Sequence, residues 1–259
     1  MNDNLGTRMK SYEHVTRNYL MRRNPVILRL DGKAFHTFTR GFQKPFDKIL
    51  METMWDTTKF LCANIQGCKL AYTQSDEISL LLTDYETIDT CSWFDSNIQK
   101  MVSVSASMAT LAFNKAFREN VEGYSKQMDN EFLEIYKRKI DTALFDSRVF
   151  SIPKEEVCNY FVWRQGDASR NSVQMYGRAN SNFSHKELDG KSCDEIQEML
   201  FQKHAINWNN EPTYQKRGTC IMKEKYCLDN DEKTERSRWI EDKDIPIFTK
   251  DKSYIEKYL

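Results

Sequence analysis

Two apolar runs in this chain break at acidic residues in the same way, and they constrain the fold more than any other feature. The first is Val26 to His36, VILRLDGKAFH: a short apolar run, then Asp31-Gly32, then a polar turn. The second is Leu70 to Leu82, LAYTQSDEISLLL, which is apolar, carries Asp76-Glu77, and is apolar again. Runs of this kind bounded by turn residues read as buried strands. Two strand ends that each bear a carboxylate are what a two-metal phosphoryl-transfer site requires. Taken singly, Asp-Gly is an ordinary turn and Ser-Asp-Glu an ordinary surface hairpin. The functional reading depends on the two stretches meeting.

The pattern around them says how they could meet. Tyr12, Val15, Tyr19 and Leu20 recur at helical spacing and predict a helix ending at Asn24-Pro25. A strand over Val26–Leu30 follows, then a helix over 46–64 opened by Pro45 and closed by Gly67. Strands 69–72 and 77–83 are joined by Thr73-Gln74-Ser75-Asp76 as a hairpin. Ile98 to Phe117 carries one continuous apolar stripe, the strongest helix signal in the chain. Residues 118–142 read as a charged insertion, helical or loose, and 148–152 as a strand stopped by Pro153. Strand, helix, strand, strand, helix, strand is the split βαβ, ferredoxin-like order of an α+β fold, an antiparallel sheet with helices on one face. Its first and third strands are central neighbours, so Asp31 and Asp76 can reach one end of the sheet. Beyond Pro153 the pattern predicts a helix through Val157, Tyr160 and Phe161, and another capped by Ser192 and running to His204. Hairpin strands over 219–222 and 224–228, a charged tail from Asp229 and an edge segment at Ile245-Pro246-Ile247 complete the chain.

Hard Mg²⁺ takes oxygen ligands and keeps several waters, so two carboxylates plus substrate phosphates suffice for it. Gly32 lets the backbone approach a metal or phosphate, and the amides from Gly32 to Phe35 would point into the same space. Lys33, His36 and Lys44 supply cations nearby, or are solvated loop residues. His14, His185 and His204 have no metal-ligand spacing. A second patch, Trp163-Arg164-Gln165-Gly166-Asp167 with Arg170, Asn171 and Arg178, suits a phosphate backbone or base edge. Lys216-Arg217-Gly218-Thr219 is a third. A salt-bridged helix face and a basic turn explain these two equally well.

Composition matters because it withholds support from a nucleic-acid partner. The 259 residues carry 38 basic and 38 acidic side chains, so any such surface must be a local patch. The seven cysteines are scattered and unpaired by spacing, as reduced thiols are. No apolar run approaches the roughly 20 residues of a membrane span, and MNDNLGTRMK lacks the apolar core of a signal peptide. A cytoplasmic protein is expected, with no membrane partner.

The run Arg29 to His36, Phe38, Gly41 to Pro45 and Asp47-Lys48 resembles the first motif of the tRNA(His) guanylyltransferase superfamily. Ala71 to Ser79 resembles its second. Phe145 to Arg148, Trp163-Arg164-Gln165 with Asp167, Asn207-Trp208-Asn209 and Lys216 to Thr219 follow in the family's order. Each motif alone is weak; six in order are specific. The resemblance implies a polymerase-palm-like catalytic domain over 1–152 with its N-terminal helix, and a tRNA-binding helical and hairpin extension over 153–259. It implies 3′–5′ nucleotide addition to the 5′ end of tRNA, after activation of a 5′-monophosphate by ATP or directly on a 5′-triphosphate. By carry-over, Asp31, Asp76 and Glu77 are catalytic, and Asp31, Asp76 and the Gly32 carbonyl bind two Mg²⁺ per active site. Asp31, Gly32, Lys33, Ala34, Phe35, His36, Lys44, Ser75 and Asp76 hold ATP, GTP or another nucleoside triphosphate. Arg164, Gln165, Arg170, Asn171, Lys216 and Arg217 contact tRNA, and members assemble as homotetramers. Eukaryotic members carry His-Ile-Asn-Asn where this chain has Ser169-Arg170-Asn171-Ser172. That run is linked with adding the extra guanosine to tRNA(His), at position −1. Its loss points to the guanylyltransferase-like branch, which repairs 5′-truncated tRNAs by templated addition. The −1 activity is the alternative; a palm-type nucleotide cyclase and a non-catalytic tRNA-binding protein are more distant ones.

Overall fold

The computed structural model describes residues 4–180, 183, 185–228 and 231–259. In chain order its elements are α1 Asn4–Val15, β1 Val26–Gly32, α2 Phe35–Phe38, α3 Lys48–Asn64, β2 Cys68–Gln74, β3 Glu77–Leu82, α4 Ile98–Tyr124, α5 Asn130–Lys137, β4 Phe145–Ser151, α6 Val157–Asn180, α7 His185–Leu188, α8 Cys193–His204, α9 Thr213–Arg217, β5 Thr219–Leu228, β6 Asp231–Asp242 and α10 Ser253–Glu256. The strands form one antiparallel sheet in the order β4-β1-β3-β2-β5-β6. The first four strands reproduce the expected split βαβ order, with β1 and β3 side by side at its centre.

Strand alternation divides the sheet into two unlike faces. Val26, Leu28 and Leu30 of β1 and Ile78, Leu80 and Leu82 of β3 pack with α3 and α4. Phe35, Phe38, Phe113, Phe117 and Phe145 interlock there, with ring centroids 4.8–5.8 Å apart. The two crossover helices thus share one face, as the sequence pattern predicts. Ile27, Leu70, Tyr72 and Leu81 point the other way, against Val157 and Phe161 of α6 and against Ile245, Phe248 and Ile255. The C-terminal segments therefore both extend the sheet and cover its second face.

Capping residues mark the helix starts. Asp47 accepts from the Leu50 amide at 2.7 Å to open α3, and its carboxylate also takes the Tyr136 hydroxyl and the Gln43 amide. Ser192 and Glu195 form the full capping box of α8.

Three expectations need correction, and one alternative is decided. The N-terminal helix stops at Val15 and buries no residue; the chain then turns so that Tyr19 bridges to Asn97 and the Leu20 amide bonds the Ser96 carbonyl. The apolar repeat across Val15–Leu20 served two different segments. Residues 118–142 are not loose: α4 continues to Tyr124, and α5 buries Leu133 and Tyr136. Residues 219–228 form one strand, and its hairpin partner is the segment read as a charged tail. Cross-strand charge pairs, Lys225–Glu235 and Arg238–Glu224, do there what apolar alternation does elsewhere. Finally, Ile245-Pro246-Ile247 is no strand: Ile245 and Phe248 are core residues.

Candidate active site

The register of the central strands decides the site. Asp31 is paired across the sheet with Glu77 on one side and Asp146 on the other, so all three carboxylates leave the same face. Asp76 stands one residue before Glu77, in the β2–β3 turn, where Ser75 adopts a left-handed φ of 50°. The Gly32 amide donates to the Asp76 carbonyl at 3.1 Å, which ties that turn to the end of β1. The two stretches do meet.

Electrostatics separate the carboxylates by role. Burial, opposed by the Ser75 hydroxyl and reinforced by the Asp31 charge, pushes the Asp76 carboxyl up to about 6. Burial and the Asp146 charge push Asp31 up as well, against the pull of Arg148 and Arg29. Neither forms an ion pair among the described residues. Glu77 differs: Arg164 grips it with two bonds, Nε to Oε1 at 2.7 Å and a terminal nitrogen to Oε2 at 2.6 Å. Arg164 also bonds Asp167 at 2.9 Å, and both Arg164 and Glu77 are buried. A bidentate pair of this kind is geometrically specific. It makes Glu77 a brace between β3 and α6, while Asp31 and Asp76 keep free oxygens.

A cation would relieve the mutual repulsion of Asp31 and Asp76. Two carboxylates and a glycine carbonyl are a hard-oxygen set, which suits Mg²⁺. Among the described residues no three His, Cys, Asp or Glu side chains converge as a metal cluster. Further ligands would have to come from phosphates and water.

Beside the Ser75–Asp76 turn opens a cleft. It is lined by Lys44, Pro45 and Phe46, by Met54 and Trp55 of α3, and by Gln74 and Ser75, the latter next in sequence to Asp76. Asn171, Ser172 and Met175 of α6 and Tyr214 and Gln215 of α9 close the opposite side. Trp55 is held by its bond to the Thr219 hydroxyl at 3.1 Å and by edge contact with Tyr214. A largely apolar slot with a few polar groups, opening onto carboxylates, accommodates a base and directs its phosphates towards them.

The structure therefore sorts the expected residues. Lys44, Ser75 and Asn171 line the cleft, and Asp31 and Asp76 stand together at the strand ends beside Ser75. Lys33 and His36 are exposed and outside the cleft lining. Phe35 is in the core; its ring lies where a Cβ on Gly32 would be, only 2.3 Å away, so that packing requires glycine there. The amides of Gly32 and Lys33 are engaged by the Asp76 and Leu144 carbonyls and those of Thr37 and Phe38 by the Ala34 carbonyl, which leaves those of Ala34, Phe35 and His36 as the candidate donors of this turn. Arg164 and Gln165 are buried; Gln165 bonds the Pro246 carbonyl and the Phe248 amide and so anchors the C-terminal segment. Arg170 is exposed and paired with Asp167, and Lys216 lies on the outer side of α9. Tyr214, Gln215 and Met175 were not singled out from the sequence, since no local pattern marks side chains that converge from distant elements; Asp146 was noted only as part of the motif Phe145 to Arg148, with no role.

Comparison with known proteins identifies the family. The family model described as tRNAHis guanylyltransferase matches residues 6–153, and the one described as Thg1 C terminal domain matches 155–257. The chain belongs to the tRNA(His) guanylyltransferase family. Its members' activity is nucleotidyl transfer, and the chain is a nucleotidyltransferase with a palm-like fold. A bacterial tRNA(His) guanylyltransferase (Thg1)-like protein solved with ATP is 45% identical, with a TM-score of 0.83 over 98% of each chain. The structure of such a protein with GTP gives 45% and 0.80 over 99% of each. The tRNA(His) guanylyltransferase of Debaryomyces hansenii is 30% identical over 233 residues, 85% of this chain and 82% of that one. No helix among the described residues is long and apolar enough to cross a membrane.

Proposed function

We propose that this enzyme repairs 5′-truncated tRNA by templated 3′–5′ nucleotide addition. The observation that carries the reading is the juxtaposition of Asp31 and Asp76 at adjoining strand ends, next to a cleft whose lining reaches Gln74 and Ser75. ATP and GTP bind the similar bacterial proteins, and the cleft here takes the nucleotide on the same footing. Lys44 is its one cationic wall residue and serves the triphosphate as a point charge.

Asp31, Asp76 and the Gly32 carbonyl would hold two Mg²⁺. When bound, such ions neutralise phosphate charge and lower the pKa of an attacking hydroxyl. The chain's own groups arrange the rest. The cleft holds the incoming nucleotide by its base, with its 3′-hydroxyl presented at the acidic turn. That oxygen attacks the activated 5′ phosphorus of the RNA; the new phosphodiester forms as the bond to AMP or pyrophosphate breaks, and the hydroxyl proton is lost to solvent. Arg164 holds Glu77, and with it the base of the turn, in register with β1. Arg170, Lys216 and Arg217 face the RNA, whereas Asn171 lines the nucleotide cleft. We place the enzyme in the cytoplasm as a homotetramer; its described cysteines are free thiols, as a reducing compartment keeps them.

Addition of guanosine at position −1 is the second reading, favoured by the names of relatives such as the Debaryomyces enzyme. Ser169 and Arg170 in place of the eukaryotic His-Ile favour repair. The test offers tRNA lacking its first nucleotide and full-length tRNA(His) to the enzyme with each nucleoside triphosphate in turn. Repair predicts that the truncated RNA gains the nucleotide complementary to its 3′ strand, and that full-length tRNA(His) is extended poorly. Guanosine addition to tRNA(His) alone overturns the repair reading. A cyclic nucleotide product with no RNA extension overturns both.

A further inference from the structure

A groove crosses the outer side of α6 at Gly166 and Ser169. Two hollows share these residues and Trp208, and so run into one another. One arm continues to Lys216 and Arg217, the other to Arg170 and Lys191. No Asp or Glu is among the residues that line either arm. In a chain with equal numbers of acidic and basic side chains, four cations in one groove are a marked local excess. Two of them are partly neutralised, Arg170 by Asp167 and Lys191 by the half-exposed Glu195, each at 3.0 Å, which leaves Lys216 and Arg217 as the unpaired charges among the described residues. Lys216 bonds the Asn209 carbonyl.

The groove is built from the same two helices as the catalytic cleft. Asn171 and Ser172 of α6 face the cleft, whereas Ser169 and Arg170 face the groove. Gln215 of α9 lines the cleft, whereas Lys216 and Arg217 line the groove. The cleft and the groove thus lie on neighbouring residues of α6 and of α9. Trp208 stands in the groove wall with its ring fixed by a bond from Nε1 to the Ser172 hydroxyl at 3.0 Å, and Lys216 sits 5.9 Å from the ring centre. Cations spaced along a groove, with an indole between them, are how unpaired nucleic acid is held: phosphates on the charges, a base on the ring. A duplex would present phosphates alone and leave the indole unused.

We infer that this groove binds a single-stranded segment of the RNA substrate through its sugar–phosphate backbone. This rests on the reading that the substrate is RNA. Arg170 then belongs to RNA binding and not to catalysis, and the run Ser169 to Ser172 touches both sites at once.

Gly166 provides the test. A Cβ built there meets no atom within 4 Å, so a side chain enters the open groove without displacing anything. Gly166→Glu and Gly166→Lys place opposite charges at one point. The measurement is fluorescence anisotropy of a short unstructured RNA, with melting temperatures confirming that both variants fold. Gly166→Glu should bind about tenfold more weakly at low salt, and Gly166→Lys as well as or better than the parent. Replacing Arg170 and Lys191 with Ala should flatten the dependence of log affinity on log salt by about 0.7 per cation. Equal affinity of the Glu and Lys variants overturns the groove. A parent enzyme that lengthens RNA while both variants bind alike overturns the groove alone. One that shows the charge contrast but never lengthens RNA overturns the proposed reaction and leaves the groove standing.

Discussion

The two faces of the sheet come from the same strands yet do opposite work. On one, β1 offers Val26, Leu28 and Leu30 and β3 offers Ile78, Leu80 and Leu82, all apolar and packed on the phenylalanine cluster of α4. On the other, the residues between them turn polar towards the catalytic end: Arg29 and Asp31 on β1, Ser79 and Glu77 on β3. There Ser79 meets the Tyr160 hydroxyl at 2.7 Å and Glu77 meets Arg164. The first face can be tuned only by volume. The second can be tuned by charge, and its strand ends carry the site. A palm of this kind separates stability from chemistry by strand parity.

Four changes would break or sharpen that division. The largest effect belongs to the apolar face: Phe113→Ala should cost about 3–5 kcal/mol of folding stability in urea denaturation, through loss of a fully buried ring. Next, Arg164→Met leaves the Glu77 carboxylate buried and unpaired, at a cost of about 3 kcal/mol. Adding Glu77→Leu should restore most of that stability, because two apolar residues can replace a buried pair. Nucleotide addition by the double variant should stay far below the parent rate. Full activity there would mean that the polar brace has no part in the chemistry.

Third, Asp76→Asn should stabilise the fold at neutral pH by about 1–2 kcal/mol, allowing for partial solvent exposure of the carboxylate. The sign follows from its raised pKa. The folded state holds the Asp76 proton up to about 6, whereas the unfolded chain releases it near the ordinary value of 3.8. Between those values the folded state binds more protons, so its stability falls as pH rises through that window. Urea midpoints taken across the window should show a downward slope in the parent that the Asn variant loses, and millimolar Mg²⁺ should reduce the difference between the two. The smallest effect is Tyr160→Phe, about 1 kcal/mol for the lost bond to Ser79, with nucleotide addition largely kept.

The strands, the central pairing and the two free carboxylates were legible because an apolar run that stops at an Asp is a local signal. Three things were not. The Glu77–Arg164 pair joins residues 87 positions apart, and nothing near either residue announces the other. Arg164 read as an RNA contact because an exposed and a buried arginine look alike until a partner is known. Strand β6 read as a tail because its sequence, Asp231 to Asp242, is held by charge pairs and carries little apolar alternation. The walls of the cleft lay in three separate helices and came together only in the fold.

The central claim is that Asp31 and Asp76 form one centre that adds nucleotides to a 5′ end. The direct measurement is single-turnover addition of labelled nucleotide to a 5′-truncated tRNA with Mg²⁺, using the parent enzyme, Asp31→Asn and Asp76→Asn, with RNA affinity measured alongside. The account predicts addition by the parent, a loss of at least about a thousandfold in each variant, and RNA affinity within about twofold of the parent. Addition at the parental rate by either variant would contradict it.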